Sequence, residues 1–301
     1  MRPSLEDLLE QIPVLAGQPR EVTELPGGLT NRNYRVRTDR MDVVVRVSDP
    51  SSGLLAIDRA AEHANAVRAA ETGVGAAVVD HLPGRGVLVV EYVDSTTWTD
   101  ADVAAKLPAA ADAVRTLHGG AAFVNRFDFF AVHRGYLQIM RDKGFRMPEG
   151  YLDDLPTAAR VQSALAVAPE PLVPCHNDLL AANFLEQPDG RVRIIDYEYS
   201  GMNESSFELG NLVQEARLGR EALTEVVTAY DGHTDPVRVA RAELWSAMSA
   251  FGWTLWGTIQ AGASELDFDF YEWGVEKYER ARAAFSDKGF GELLDVVGGR
   301  R

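Results

Sequence analysis

Asp178, Asn183 and Asp196 are the residues of this 301-residue chain whose types and spacing could do chemistry together. Asp178 follows an apolar run that ends at Cys175, and Asp196 follows Ile194-Ile195, beyond the turn Pro188-Asp189-Gly190. Apolar runs bounded by Pro and Gly read as strands, which would set the three side chains at adjacent strand ends. Mg²⁺ prefers hard oxygen ligands and keeps positions for phosphate oxygens, while a further carboxylate can take the proton of an attacking hydroxyl. The expectation is metal-assisted phosphoryl transfer, with Asn183 and Asp196 holding Mg²⁺ and Asp178 serving as base. Alone, Asp178 also fits an Asx turn that caps its own backbone. It is the set of three that points to chemistry.

His176-Asn177-Asp178, with Asn183 five residues on and Ile195-Asp196-Tyr197-Glu198-Tyr199 beyond it, resembles the catalytic segment of the choline kinase and aminoglycoside phosphotransferase superfamily, a relative of protein kinases. The resemblance implies an α+β, two-lobed protein kinase-like fold, with a small antiparallel-sheet lobe and a larger, mainly helical one. The nucleotide-binding lobe would occupy residues 1–94 and the catalytic lobe residues 95–301. ATP and Mg²⁺ are the implied cofactors. The loop after Asp196, running through Phe207-Glu208-Leu209-Gly210-Asn211, is closer to choline kinase-like enzymes than to the antibiotic-modifying members.

The elements that must position these groups are readable in order. Ser4 caps a short helix with acidic residues in its first turn, where the helix dipole favours them. Leu25 to Val36 reads as strand, glycine turn, strand, and residues 41–47 as a third strand. Glycines at a hairpin tip let backbone N–H groups approach a phosphate, so Gly27, Gly28, Thr30 and Asn31 are candidates to cover a nucleotide. The resemblance places a phosphate-binding cation on the third strand, at Arg46. Residues 57–71 repeat at helical spacing. There Glu62 either faces inward to pair with Arg46, as the resemblance implies, or joins the solvated charges of Arg68 and Glu71. Two further strands flank the turn at Pro83-Gly84, and Glu91 to Val93 fall where a kinase-like chain lays its backbone against adenine.

Beyond this, helical patterns cover residues 100–118, 133–145 and 150–167, and most of 205–285, with His118 read as structural. Trp253 and Trp256 share a helix face at i, i+3 spacing, and Trp273 follows on the next helical segment. Such a stripe is either core or a cage of rings around a quaternary ammonium. The resemblance favours the cage and adds Glu215 as an acidic neighbour. Asp178, Glu215, Trp253, Trp256 and Trp273 are therefore the expected acceptor site, for choline or a related cationic amino alcohol. Ethanolamine, an aminoglycoside, a sugar, or a non-catalytic binder with the same fold are the alternatives.

With 46% hydrophobic residues the chain can bury one or two cores. Thirty basic against forty-five acidic residues, net −15, disfavour nucleic acid or an anionic membrane as partner and suit a cationic one. One Cys and six His give no zinc spacing. The single thiol suggests a reducing compartment, and with no signal-like start and no long apolar run the expectation is a cytoplasmic protein without membrane insertion. Nothing in the sequence sets the oligomeric state.

Overall fold

The computed structural model describes residues 4–26, 28, 31–48, 53–55 and 57–299. Helix α1, Leu5–Leu9, begins at Ser4 with a capping box: the Ser4 hydroxyl accepts from the Asp7 N–H at 3.1 Å and the Asp7 carboxylate accepts from the Ser4 N–H at 3.2 Å. Its Leu8 and Leu9 pack on a five-stranded antiparallel sheet of β1 (Glu21–Leu25), β2 (Asn31–Arg37), β3 (Asp42–Ser48), β4 (Val78–Leu82) and β5 (Val87–Glu91), in the order β1-β2-β3-β5-β4. Successive strand residues face opposite ways. Val43 and Val45 therefore join Tyr34, Val36, Val87 and Val89 in the core under α1, while Arg46 turns to the other face. That face meets α2, Arg59–Glu71, which starts at Asp58, whose carboxylate accepts from the Ala60 and Ala61 N–H groups.

The remainder is mainly helical: α3 (Asp100–Ala105), α4 (Leu107–His118, with Pro108 in its first turn), α5 (Phe129–Lys143), α6 (Leu155–Leu165), α7 (Ser205–Glu215), α8 (Arg220–Asp231), α9 (Pro236–Ala263), α10 (Phe270–Phe285) and α11 (Phe290–Val297). One core gathers Trp98, Leu117, Phe184, Leu209 and Leu212, and a second, aromatic core gathers Tyr136, Tyr151, Phe207, Phe251 and Trp253. The small antiparallel sheet and larger helical body match the expected fold class. No helix of the described residues is long and apolar enough to cross a membrane.

Short strands carry the polar loops. β6 (Thr96–Thr97), β8 (Phe184–Glu186) and β9 (Val192–Ile194) form one sheet, and β7 (Leu172–Cys175) pairs with β10 (Gly201–Glu204) in another. Asp178 and Asp196 thus leave strands of different sheets, a correction to the simpler expectation of neighbouring strand ends. What joins them is the loop backbone: Ile195 N–H donates to the Asn183 carbonyl at 3.0 Å. The helical body is tied to the first sheet by Arg193, which donates to the Gly75 carbonyl and the Glu91 carboxylate, both at 2.5 Å.

Candidate active site

The catalytic-type loop is held by bonds that fix each of its residues. Asn177 takes a left-handed backbone, φ 68°, a conformation in which Asn is tolerated better than most residues. Its amide donates to the Tyr199 carbonyl at 3.0 Å and its side-chain oxygen accepts from Asn203 at 2.8 Å. His176 donates from Nε2 to the Ile195 carbonyl at 2.8 Å, and burial lowers its pKa, so the ring is a neutral spacer between the loop and Asp196. From below, Glu208 of α7 accepts the His176 and Asn177 N–H groups at 2.8 and 3.0 Å, and Asn211, one turn on, accepts the Leu179 N–H at 2.9 Å. Buried backbone donors need such partners. Glu208 and Asn211 carry no assigned role in the sequence analysis above; their one sequence signal is i, i+3 spacing on a helix that follows the second motif.

Asn183 donates from Nδ2 to the Asp178 carbonyl at 2.8 Å, which leaves its Oδ1 to a ligand. Asp196, with φ 71°, presents a carboxylate that is 30% exposed; one oxygen meets Arg46. The residues thus fit an oxygen-ligated cation, with one oxygen of each side chain outside these contacts. Burial, reinforced by Glu215, Glu198 and Asp196 and opposed by Lys277, holds the Asp178 carboxyl well above the ordinary carboxylate range.

Arg46 meets Glu62 as well as Asp196, so of the two readings of Glu62 the inward one describes the structure. Arg59 adds a second cation, donating to Glu62 at 2.8 Å and to Glu198 at 3.2 Å, while Asn31 donates to Glu198 at 3.1 Å. Oxygens of Glu62, Asp196 and Glu198 lie within 4.8 Å of one another. Glu198, through Asn31, ties the start of β2 to the segment after Asp196.

The model of the phosphotransferase enzyme family matches residues 21–244. A choline/ethanolamine kinase family protein from Mesorhizobium loti is 34% identical, with a TM-score of 0.84 and 97% of each chain covered. The chain belongs to the phosphotransferase enzyme family. Choline kinase LicA from Streptococcus pneumoniae, 22% identical over 94% of this chain and 99% of its own, has a TM-score of 0.81 and shares the fold. Protein LicA of Haemophilus influenzae is 28% identical over 69% of this chain, and the match spans 62% of its length.

Within this member of the phosphotransferase enzyme family, the remaining expected residues are placed unevenly. Gly27 and Thr30 lie outside the described residues. Gly28 has φ +99°, and a Cβ there would meet the Asn31 carbonyl oxygen, so only glycine suits that turn. The Glu91 side chain accepts from the Ala77 N–H at 2.9 Å and pairs with Arg193, while Val93 is buried. Trp253 packs in the aromatic core against Phe127, Phe129 and Tyr199, with ring centroids 6.5, 5.9 and 5.0 Å away. Trp256 donates from Nε1 to the Tyr199 hydroxyl at 2.8 Å and packs on Trp273 at 5.2 Å. Glu215 and Trp273 do come together, on either side of Lys277. His118 is structural, bonded to Glu208 at 3.1 Å and to Tyr230 at 2.8 Å.

Proposed function

We propose that the chain transfers the γ-phosphoryl group of ATP to the hydroxyl of choline or a closely related cationic amino alcohol, with Mg²⁺ as its metal. The observation that carries this reading is the acidic convergence of Asp178 and Asp196 around Asn183, backed by Arg46 and Glu62. Asp178 takes the proton of the acceptor hydroxyl, and burial raises its pKa in the direction that strengthens it as a base. Arg46, steadied by Glu62, holds phosphate oxygens, and Asn183 and Asp196 ligate the metal. Mg²⁺, when bound, neutralises phosphate charge and keeps the leaving group in place. Gly27, Gly28, Thr30 and Asn31 cover the phosphates, and the backbone of Glu91 to Val93 meets the adenine. The division at residues 94 and 95 separates the nucleotide lobe from the acceptor lobe.

A second reading, ethanolamine as acceptor, is favoured by one observation. Carboxylates crowd Asp178 while Trp253 faces the core, and a primary ammonium uses carboxylates where a quaternary one uses rings. Purified chain with ATP, Mg²⁺ and choline, ethanolamine, an aminoglycoside or a sugar, read as ADP release and phosphate ester by NMR, tests both. Turnover of choline or ethanolamine is expected; turnover of the aminoglycoside alone overturns the acceptor class.

A further inference from the structure

The carboxylate and ring expected to receive an acceptor's cation already hold one. Lys277 lies on α10 one turn beyond Trp273. Its Nζ is 2.5 Å from Glu215 Oε2 and 4.0 Å from the Trp273 ring centroid. Only 2% of the Lys277 side chain and 4% of the Glu215 side chain reach solvent. α9 and α10 touch through glycines beside Trp273: a Cβ on Gly257 would lie 3.0 Å from both Gly274 Cα and Trp273 Cε3. Trp256 packs against the same ring, with centroids 5.2 Å apart. Both members of the pair lie near enough to Asp178 for their charges to bear on its carboxyl.

We propose that Lys277 is a resident competitor for the acceptor's cationic head, occupying the Glu215 carboxylate and the Trp273 face so that a substrate ammonium binds only by displacing it. This rests on the amino-alcohol reading above. One carboxylate and one ring satisfy a single positive charge, and a second ammonium beside the first would be repelled in a site screened from water. The four-carbon stem of lysine lets the head withdraw where an arginine fork would stay locked. Lys277 therefore sets how strongly the enzyme prefers charged over uncharged alcohols.

The test measures binding, so that it reads out whether or not any alcohol is phosphorylated. Tetramethylammonium is titrated against wild type, Lys277→Met and Lys277→Gln by calorimetry, the Gln variant keeping a hydrogen-bond donor for Glu215 if the Met variant does not fold. Removing the resident charge is expected to tighten tetramethylammonium by about tenfold or more, the scale of a desolvated cation–ring contact, with ATP affinity unchanged. Equal or weaker binding in a folded variant overturns the proposal. Wild type gives a second measure: choline and dimethylbutanol, its uncharged isostere, are expected to bind within about threefold of each other, a free-energy difference below that of one cation–ring contact. A strong wild-type preference for choline overturns the proposal even if neither variant folds. Failure of the kinase reading appears separately, as absent ADP release with every alcohol.

Discussion

Arg46 donates to Asp196 across 150 positions of sequence, so one guanidinium joins the first sheet to the loop that carries a cleft carboxylate. Glu62 holds the same guanidinium from α2. Breaking such a buried group leaves Arg46 and Arg59 short of counter-charge, a cost of about 3–5 kcal/mol when one partner of a buried pair is removed. Glu62→Gln is expected to raise the KM for ATP by about tenfold or more, about 1.4 kcal/mol of lost orientation, with a smaller change in the acceptor KM. Steady-state kinetics with each substrate varied check it.

Asp178→Asn is expected to lower kcat by about 10² or more, the usual scale for a lost acid–base group, while equilibrium dialysis shows ATP still bound. Because burial raises the Asp178 pKa, the base is protonated over a wider acid range, and kcat/KM should climb with pH through a limb above the ordinary carboxylate range. A rate profile flat across that limb removes Asp178 from the proton transfer.

Burial lowers the His133 pKa from 6.5 to about 4, and its Nε2–H donates to the Tyr151 hydroxyl at 2.8 Å, which in turn donates to the Phe251 carbonyl. The unfolded chain then binds this proton more readily than the folded one, so stability is lost as pH falls from 6.5 toward about 4. Urea midpoints measured through that window should drop, and drop less in His133→Gln.

Arg241 is wholly inside the helical body, donating to Glu204 from Nε and Nη2 at 3.0 and 2.6 Å and to the Leu165 carbonyl at 2.9 Å, while Trp245 also donates to Glu204. Arg241→Ala should destabilise by about 3–5 kcal/mol, because it strands a buried carboxylate. The double change with Glu204→Gln should cost less than the sum, as denaturant titration of the four proteins would reveal.

Trp253→Ala should cost about 3–5 kcal/mol of stability, as large-to-small core changes do, and should move the choline and ATP KM values together. A rise confined to choline would place Trp253 in the acceptor site.

The catalytic-type loop was legible because its signals are local: Asp and Asn at loop positions, a Pro-Asp-Gly turn and apolar runs short enough to be strands. Alternation in residues 42–48 likewise put Arg46 opposite the valine face. What could not be read was partner choice. Nothing near Glu208 says that it will hold N–H groups 31 and 32 residues back in sequence, and β7 pairs with β10 across the whole loop rather than with β9. Helical spacing set Trp253 and Trp256 on one face without saying what that face meets. Lys277, in the charged stretch Glu276-Lys277-Tyr278-Glu279, reads as solvated, and only the close packing of α9 on α10 turns it inward.

Cys175 ends β7 in full burial, its Sγ 3.5 Å from His118 Nε2, and burial pushes the thiol well above its usual range. The chain has no second sulfhydryl. A labelling reagent therefore reaches Cys175 only when the structure around β7 opens, and its rate becomes a clock for that opening that any added nucleotide or alcohol should slow in proportion to its affinity.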